Sequence, residues 1–205
     1  NTASLPPAND GISYTKSTIA INYDSSLGER ILTTDDGYYT KNLGFNFDFY
    51  DSSYTRVSIS ANGRLIPLTD SGTEPTENDY SNRLASGIYA LNDDLYPSPN
   101  SEGGVWFKSE DNVATITWVV VPYAYRSTAN NENEIRFQAR LYSTGKIEFH
   151  YLDTHVGDTN YDYGASASVG LSTLTSGTKL TITNNSADEI QIGNNKALDF
   201  KTQGT

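Results

Sequence analysis

The chain of 205 residues contains neither cysteine nor methionine. The lack of cysteine excludes disulfide bonds, zinc–thiolate sites and thiol nucleophiles, so the fold must be stabilised by packing. No apolar run reaches the roughly 18 residues that a membrane-spanning helix needs. The sequence therefore predicts no direct membrane insertion.

Basic residues are scarce: 14 lysines and arginines stand against 25 acidic residues, for a net charge of -11. An acidic surface repels polyanions at long range, so the charge argues against nucleic acid and anionic membranes as partners. It is compatible with calcium, with neutral glycans and with basic partners. A charge that merely keeps an extracellular protein in solution is the simpler explanation.

Helix-forming residues never cluster at a period of 3.6 over a useful length, whereas alternation of apolar and polar residues recurs along the chain. In LGFNFDFYDSSYTRVSISANGRLIPL, residues 43–68, the alternation predicts two strands, and Asn62-Gly63 predicts a tight turn. The predicted inward row of the first strand is Leu43, Phe45, Phe47 and Phe49. An earlier first strand is expected to carry Ile19, Ile21 and Tyr23.

A second hairpin of the same kind is predicted over RFQARLYSTGKIEFHY, residues 136–151, with Gln138, Arg140, Glu148 and His150 pointing outward. Strands with one dry face need a second sheet to cover it. The predicted fold is therefore all-β, a two-layer antiparallel β-sandwich with long polar loops. We expect one domain over residues 1–205, in which residues 1–12 form a linker or a strand lead-in.

Five blocks of the sequence follow the order of a known family. After residues 43–68 come IYALNDDLYPS, TITWVVVPY, RFQARLYSTGKIEFHY and SASVGLS, and the series ends near residue 172. Together they resemble the nidogen-like extracellular domain. The resemblance implies a secreted or cell-surface β-sandwich that serves in adhesion or matrix assembly, and it implies no catalytic residues.

The segment Asn92-Asp93-Asp94 is the candidate metal site. Two carboxylates and an amide offer the hard oxygen ligands that calcium prefers, and Asp70 or Glu74 could complete the set. The alternative is structural, because one aspartate of such a segment commonly caps a turn while the other faces solvent. Asp35-Asp36-Gly37 is interpreted as ordinary turn chemistry. Calcium is the one cofactor the sequence suggests.

Tyrosines in or beside the predicted loops are the candidate ligand contacts, because an amphipathic ring can stack on a sugar or anchor a protein partner. The alternative is that these rings cover sheet edges and loop cores. The residues predicted to bind a ligand are Tyr80, Tyr96, Tyr123, Tyr125 and Arg126. Loops on a rigid scaffold are where function is usually carried.

Enzymatic signatures are few. No G-x-S-x-G motif is present, and His150 and His155 do not have the spacing of a metal-binding pair. Glycoside hydrolysis needs only two carboxylates, so it is neither excluded nor indicated. Asn184-Asn185-Ser186 is a glycosylation sequon that matters only in a eukaryotic secretory host.

The favoured hypothesis is an extracellular, non-enzymatic adhesion domain that recognises a cell-surface or matrix protein or a glycan through its loops. One alternative is a lectin-like carbohydrate-binding module. Another is a structural spacer or fibre tip, for which the chain would form a homo-oligomer.

Overall fold

The computed structural model describes residues 14–50, 52–76, 86–127, 131–172, 179–183 and 192–202, with only the main chain described at 179–183. The predicted lead-in at residues 1–12 lies outside these residues, as do Tyr80 and the sequon at Asn184. Their predictions are untested, as is the assignment of the whole chain to one domain. Among the described residues no helix is long and apolar enough to cross a membrane.

In the part of the chain that the structure describes, fourteen strands form two antiparallel sheets. The strands are β1 Tyr14–Ile19, β2 Glu29–Leu32, β3 Tyr38–Phe49, β4 Ser52–Ser60, β5 Arg64–Leu68, β6 Gly87–Asn92, β7 Leu95–Pro97, β8 Gly104–Glu110, β9 Val113–Pro122, β10 Ile135–Tyr142, β11 Ile147–Asp153, β12 Ser168–Ser172, β13 Lys179–Thr183 and β14 Lys196–Thr202. Sheet A has the order β1-β14-β11-β10-β9-β8-β2, with β7 paired to β9, and sheet B has the order β13-β12-β6-β5-β4-β3. The predicted all-β sandwich is confirmed.

Aromatic side chains fill the space between the two sheets. Trp118 stacks on Phe137 with ring centroids 4.9 Å apart, and its indole N–H donates to the carbonyl of Ser60 in the other sheet at 2.9 Å. The hydroxyl of Tyr151 likewise donates across the core to the carbonyl of Ala90. Buried tyrosine and tryptophan need such partners for their polar atoms. These bonds fix how the sheets lie on one another.

The inward row of β3 is confirmed at Leu43, Phe47 and Phe49, which are buried, but Phe45 is only partly buried. Gly44 has a φ of +82°, and the pairing of β3 with β4 is irregular between Asn42 and Phe47. The irregularity shifts the pairing with β4, but buried or partly buried positions still alternate with exposed ones from Leu43 to Phe49. Phe45 packs against the buried core from the same face, so the predicted row is confirmed with Phe45 as its least buried member.

The residues of sheet A predicted to point outward do leave the core, but another segment of the chain covers part of this outer face. The first strand was predicted to carry Ile19, Ile21 and Tyr23, but it ends at Ile19. Ile21 and Tyr23 lie in the segment that then crosses the sheet. The backbone N–H of Asn22 donates to Nδ1 of His150 at 3.2 Å, and that of Asp24 donates to Gln138 at 3.0 Å. His150 and Gln138 are consequently buried. The alternation of apolar and polar residues identified which side chains point away from the core, but it could not reveal that another segment of the chain covers them.

Candidate functional site

Two turns that cross between the sheets meet at one end of the sandwich. The turn from β2 to β3 carries Asp35 and Asp36, and the turn from β6 to β7 carries Asp93 and Asp94. Asn62, at the predicted Asn-Gly turn, joins them. Its side-chain amide donates to Asp36 at 2.9 Å, and its side-chain oxygen accepts the backbone N–H of Leu95 at 2.9 Å.

The three residues predicted as calcium ligands have different hydrogen-bonding environments. Asn92 is fully buried and donates to the carbonyl of Asn62 at 2.8 Å. Asp93 accepts the backbone N–H of Asp94 at 2.9 Å and the hydroxyl of Ser166. These bonds are the structural, turn-capping role that the sequence offered as the alternative to metal binding. Asp94 has a different environment.

Asp94 lies beside Asp35 and Asp36, and these residues are called the carboxylate trio below. One carboxylate oxygen from each lies within 4.8 Å of the others, and Oδ1 of Asp35 is buried without a hydrogen-bond partner among the described residues. If a divalent cation binds at this end, this trio is the oxygen-rich set that can hold it. Of the residues predicted from the sequence, Asp94 alone belongs to it; Asp70 and Glu74 instead bond Thr55 and Thr40.

Burial and repulsion between neighbouring carboxylates raise the pKa values of Asp94 and Asp35. Burial first, and then the charges of Asp36, Asp35 and Asp93, bring the pKa of Asp94 to about 6 against the opposing charge of Arg126. Burial and then the charge of Asp36 raise the pKa of Asp35, which Arg126 also opposes. Like charges held close disfavour ionisation. A cation placed near the trio would relieve this repulsion.

Three of the five predicted ligand contacts, Tyr96, Tyr123 and Arg126, lie next to the trio. The backbone N–H of Tyr123 donates to the carbonyl of Asp94 at 2.8 Å, which ties the turn after β9 to the trio. Tyr96 and Tyr123 are in edge contact, with centroids 6.2 Å apart. The guanidinium of Arg126 lies 4.0 Å from the centroid of the Tyr123 ring and donates to the Tyr123 carbonyl at 3.0 Å.

Tyr125 is held on the same short 3-10 turn but faces other partners. Its ring meets Tyr161 edge-on at 6.0 Å, and its hydroxyl donates to Asp158 at 2.8 Å. That hydrogen bond raises the pKa of the Tyr125 hydroxyl. We call Tyr96, Tyr123, Tyr125, Arg126 and Tyr161 the aromatic end. All five side chains are at least partly exposed, and the 3-10 turn links the contact of Tyr123 with Tyr96 and Arg126 to the contact of Tyr125 with Tyr161.

One tyrosine of the strand that precedes these turns does not belong to the aromatic end. Tyr89 is buried within β6, where the guanidinium of Arg64 lies 5.1 Å from its ring centroid.

Asp35 and Asp36 were missed as site residues because the sequence Asp-Asp-Gly is typical of a turn. The available signal was that two Asp-Asp pairs occur in turns between strands. Sequence alone does not reveal that both turns lie at the same end.

The fold defines the class of this protein as a two-layer antiparallel β-sandwich whose turns carry an aromatic and acidic surface. Within that class the chain belongs to the NIDO-related (nidogen-related) family, whose model matches residues 13–203. The predicted family resemblance is thereby confirmed. Domains of this type are typically extracellular, and the family is not known as enzymatic. No curated protein and no solved structure matches the chain.

Proposed function

We propose that this chain is an extracellular, non-enzymatic recognition domain that binds a protein ligand on a cell surface or in the matrix through the aromatic end. The observation that carries the proposal is the assembly of Tyr96, Tyr123 and Arg126 into one surface cluster. Tyrosine and arginine, together with tryptophan, are the residues enriched among energetically dominant interface contacts. Their contacts with one another reduce the conformational freedom that binding would cost.

The charge of the same surface favours a basic partner. Asp35, Asp36 and Asp94 lie beside the aromatic end, and Arg126 interacts with Asp94 and Asp35 without neutralising the whole trio. A lysine or arginine of a partner could approach both a carboxylate and a tyrosine ring. The net charge of -11 would speed the encounter with such a partner at low salt.

Binding of the immobilised chain to cells and to a panel of matrix proteins tests the proposal. Tyr123→Ala and Arg126→Ala should each weaken binding about tenfold or more, as expected for central interface residues. Tyr39→Ala is the matched control, since Tyr39 is also an exposed tyrosine but lies outside the aromatic end. Equal binding by the three variants, or no binding above a blank surface, contradicts the proposal.

A lectin-like function is the second candidate, favoured by the partly exposed rings of Tyr96 and Tyr125 beside carboxylates that can accept sugar hydroxyl groups. A glycan array probed with the chain and with Tyr96→Ala and Tyr125→Ala separates it from protein-directed adhesion. Silence across the array removes this candidate. For the spacer or fibre-tip alternative, light scattering is the test, and a strict monomer argues against the fibre form.

A further inference from the structure

The N-terminal part of the described chain crosses the outer face of sheet A from one edge to the other. β1 pairs with β14 at one edge of this sheet, and β2 pairs with β8 at the opposite edge. Residues 20–28 connect the two strands and pass over β11 and β10. We call residues 14–28, which comprise β1 and this crossing segment, the belt.

Three buried side chains of sheet A bind the main chain of the belt. Nδ1 of His150 accepts the N–H of Asn22 at 3.2 Å, and the guanidinium of Arg140 donates to the carbonyl of Asn22. Gln138 binds both main-chain groups of Asp24, because its Oε1 accepts the N–H at 3.0 Å and its Nε2 donates to the carbonyl at 2.6 Å. A neighbouring strand in a β-sheet likewise binds the N–H and C=O groups of alternate residues. We call Gln138, Arg140 and His150 the main-chain clamp.

The strand register places the main-chain clamp on one face. Gln138 and His150 are direct cross-strand partners, and Arg140 follows Gln138 by two positions on β10, so all three point to the outer face. Bonds to main-chain groups do not depend on the sequence of the bound segment. Asp24 adds a side-chain contact, since its carboxylate pairs with Lys108 at 2.5 Å. The clamp and Lys108 therefore suit an extended segment that carries one acidic side chain.

The belt is attached through little apolar surface. The four central side chains of β1, at residues 15–18, are exposed. Its first residue, Tyr14, supplies an anchor: the ring packs against Phe49 and Tyr50, and the hydroxyl donates to the carbonyl of Gly145 at 2.9 Å. Elements with few buried apolar contacts open at a lower free energy than the core does. We therefore expect the belt to open while the sandwich stays folded.

Opening of the belt uncovers polar groups. Gln138, Arg140 and His150 can exchange their bonds with the belt for bonds with water, so their exposure carries no hydrophobic penalty. β14 becomes an edge strand at the same time, and the main-chain groups of an edge strand can pair with another extended chain. Departure of the belt thus leaves a surface that is ready to bind a segment of the same kind.

We infer that the belt is a detachable self-ligand, and that the surface beneath it binds an extended partner peptide. The main-chain clamp holds the main chain of the peptide, and Lys108 holds an acidic side chain, as they hold Asn22 and Asp24 in the closed chain. Neither the clamp nor Lys108 belongs to the aromatic end or the carboxylate trio. The inference therefore does not depend on the proposed function.

Hydrogen exchange of the full chain, followed by NMR, tests the opening of the belt. The amides of β1, Asn22 and Asp24 should exchange about a hundredfold or more faster than those of the central strand β10, because they open locally. Thr15→Cys/Lys201→Cys joins cross-strand partners of β1 and β14 in a chain without other cysteines. Its oxidised form should slow exchange at Asn22 and Asp24, and reduction should restore it.

Asp48→Cys/Ser53→Cys is the matched control, since these residues are exposed cross-strand partners of β3 and β4. Its disulfide should leave exchange at Asn22 and Asp24 unchanged. Belt amides as protected as those of β10 overturn the inference. So does a β1–β14 disulfide that leaves Asn22 and Asp24 unaffected.

Titration of the isotope-labelled full chain with a synthetic peptide of residues 14–28, up to millimolar concentration, tests the binding surface. Saturable shifts are expected at the amides of β10 and β11. The peptide with Asp24→Asn should bind about tenfold more weakly, the order of a lost charge-assisted contact. Tyr14→Ala in the protein alone should tighten apparent binding about tenfold, because it raises the fraction of open chains.

Two further comparisons complete the binding experiment. The oxidised Thr15→Cys/Lys201→Cys chain should bind the peptide at least about tenfold more weakly than its reduced form, because fewer chains are open. Tyr39→Ala, at an exposed tyrosine outside the belt, should leave binding unchanged. The inference is overturned if the peptide gives no saturable shifts, if the Asp24→Asn peptide binds equally well, or if oxidation does not weaken binding.

Discussion

Asn62 donates its side-chain amide to Asp36 across two crossing turns, at 2.9 Å, while its side-chain oxygen accepts the N–H of Leu95. Asn62 is 1% exposed, so the N–H of Leu95 would lose its partner in a buried environment if the side chain were removed. Asn62→Ala should lower the free energy of unfolding by about 2–4 kcal/mol, the order expected for two lost bonds and one buried unsatisfied donor. Urea denaturation measures the change.

Asn46→Ala is the control for this experiment, because Asn46 is an exposed asparagine of β3. Substitution of an exposed residue should change stability by no more than about 0.5 kcal/mol. Equal stability losses in the two variants would show that Asn62 does not join the turns as described.

Gly63, the next residue, has no room for a side chain. A Cβ at this position would lie 1.9 Å from the carbonyl oxygen of Leu91, and the φ of Gly63 is +79°. Gly63→Ala should cost at least about 3 kcal/mol, from backbone strain together with displacement of Leu91. Gly157→Ala separates the two causes, since Gly157 has a φ of +82° and nothing within 4 Å. Strain alone should cost that control about 1–2 kcal/mol in urea denaturation.

Asn62-Gly63 shows how far the sequence could predict this protein. The dipeptide correctly predicted a turn, because that information is local. The partners Asp36 and Leu95 are 26 and 33 positions away, so their meeting depends on how the sheets fold over one another. The same limit explains the carboxylate trio and the covered His150. The alternation of apolar and polar residues predicted the sandwich because the two-residue period of a strand can be recognised from consecutive residues.

Calcium binding, expected from the sequence, stays a prediction, and the structure suggests where to test it. Calcium should raise the midpoint of thermal unfolding of the chain, because any ligand of the folded state stabilises it. Asp94→Asn should abolish the rise if the trio holds the ion. Asp70→Asn is the control, since Asp70 bonds Thr55 and is not part of the trio. An unchanged midpoint of thermal unfolding in millimolar calcium would contradict the prediction of calcium binding.

The pKa of Asp94 predicts an unusual pH dependence. Because its folded-state pKa of about 6 lies above the usual aspartate value of 3.8, the folded state takes up the proton first as the pH falls. Stability should therefore fall as the pH rises from about 4 to above 6. Asp94 is partly exposed, so we expect a loss of only about 1 kcal/mol after allowance for solvent screening. Asp94→Asn should remove this fall in urea denaturation, and a wild-type chain that gains stability over this range would contradict it.

Glu148 should act with the opposite sign and at lower pH. Burial alone would raise the pKa of Glu148, but hydrogen bonds from His150, Lys146 and Tyr142 outweigh it and lower the pKa to about 2. His150 can donate through Nε2 because its Nδ1 accepts the N–H of Asn22. The stability that Glu148 contributes is complete above the usual glutamate pKa of 4.5 and is lost as the pH falls towards 2.

Glu148→Gln should therefore destabilise the chain at pH 7 by about 2 kcal/mol and flatten the acid side of its stability profile. Glu110→Gln, at an exposed position at the end of β8, should leave both unchanged. Asp94 should affect the stability above about pH 4, and Glu148 should affect it below about pH 4.5. Asp94→Asn and Glu148→Gln should therefore change opposite sides of the maximum in the plot of stability against pH. If Glu148→Gln instead changes the stability above pH 5, the hydrogen bonds from His150, Lys146 and Tyr142 do not keep Glu148 ionised.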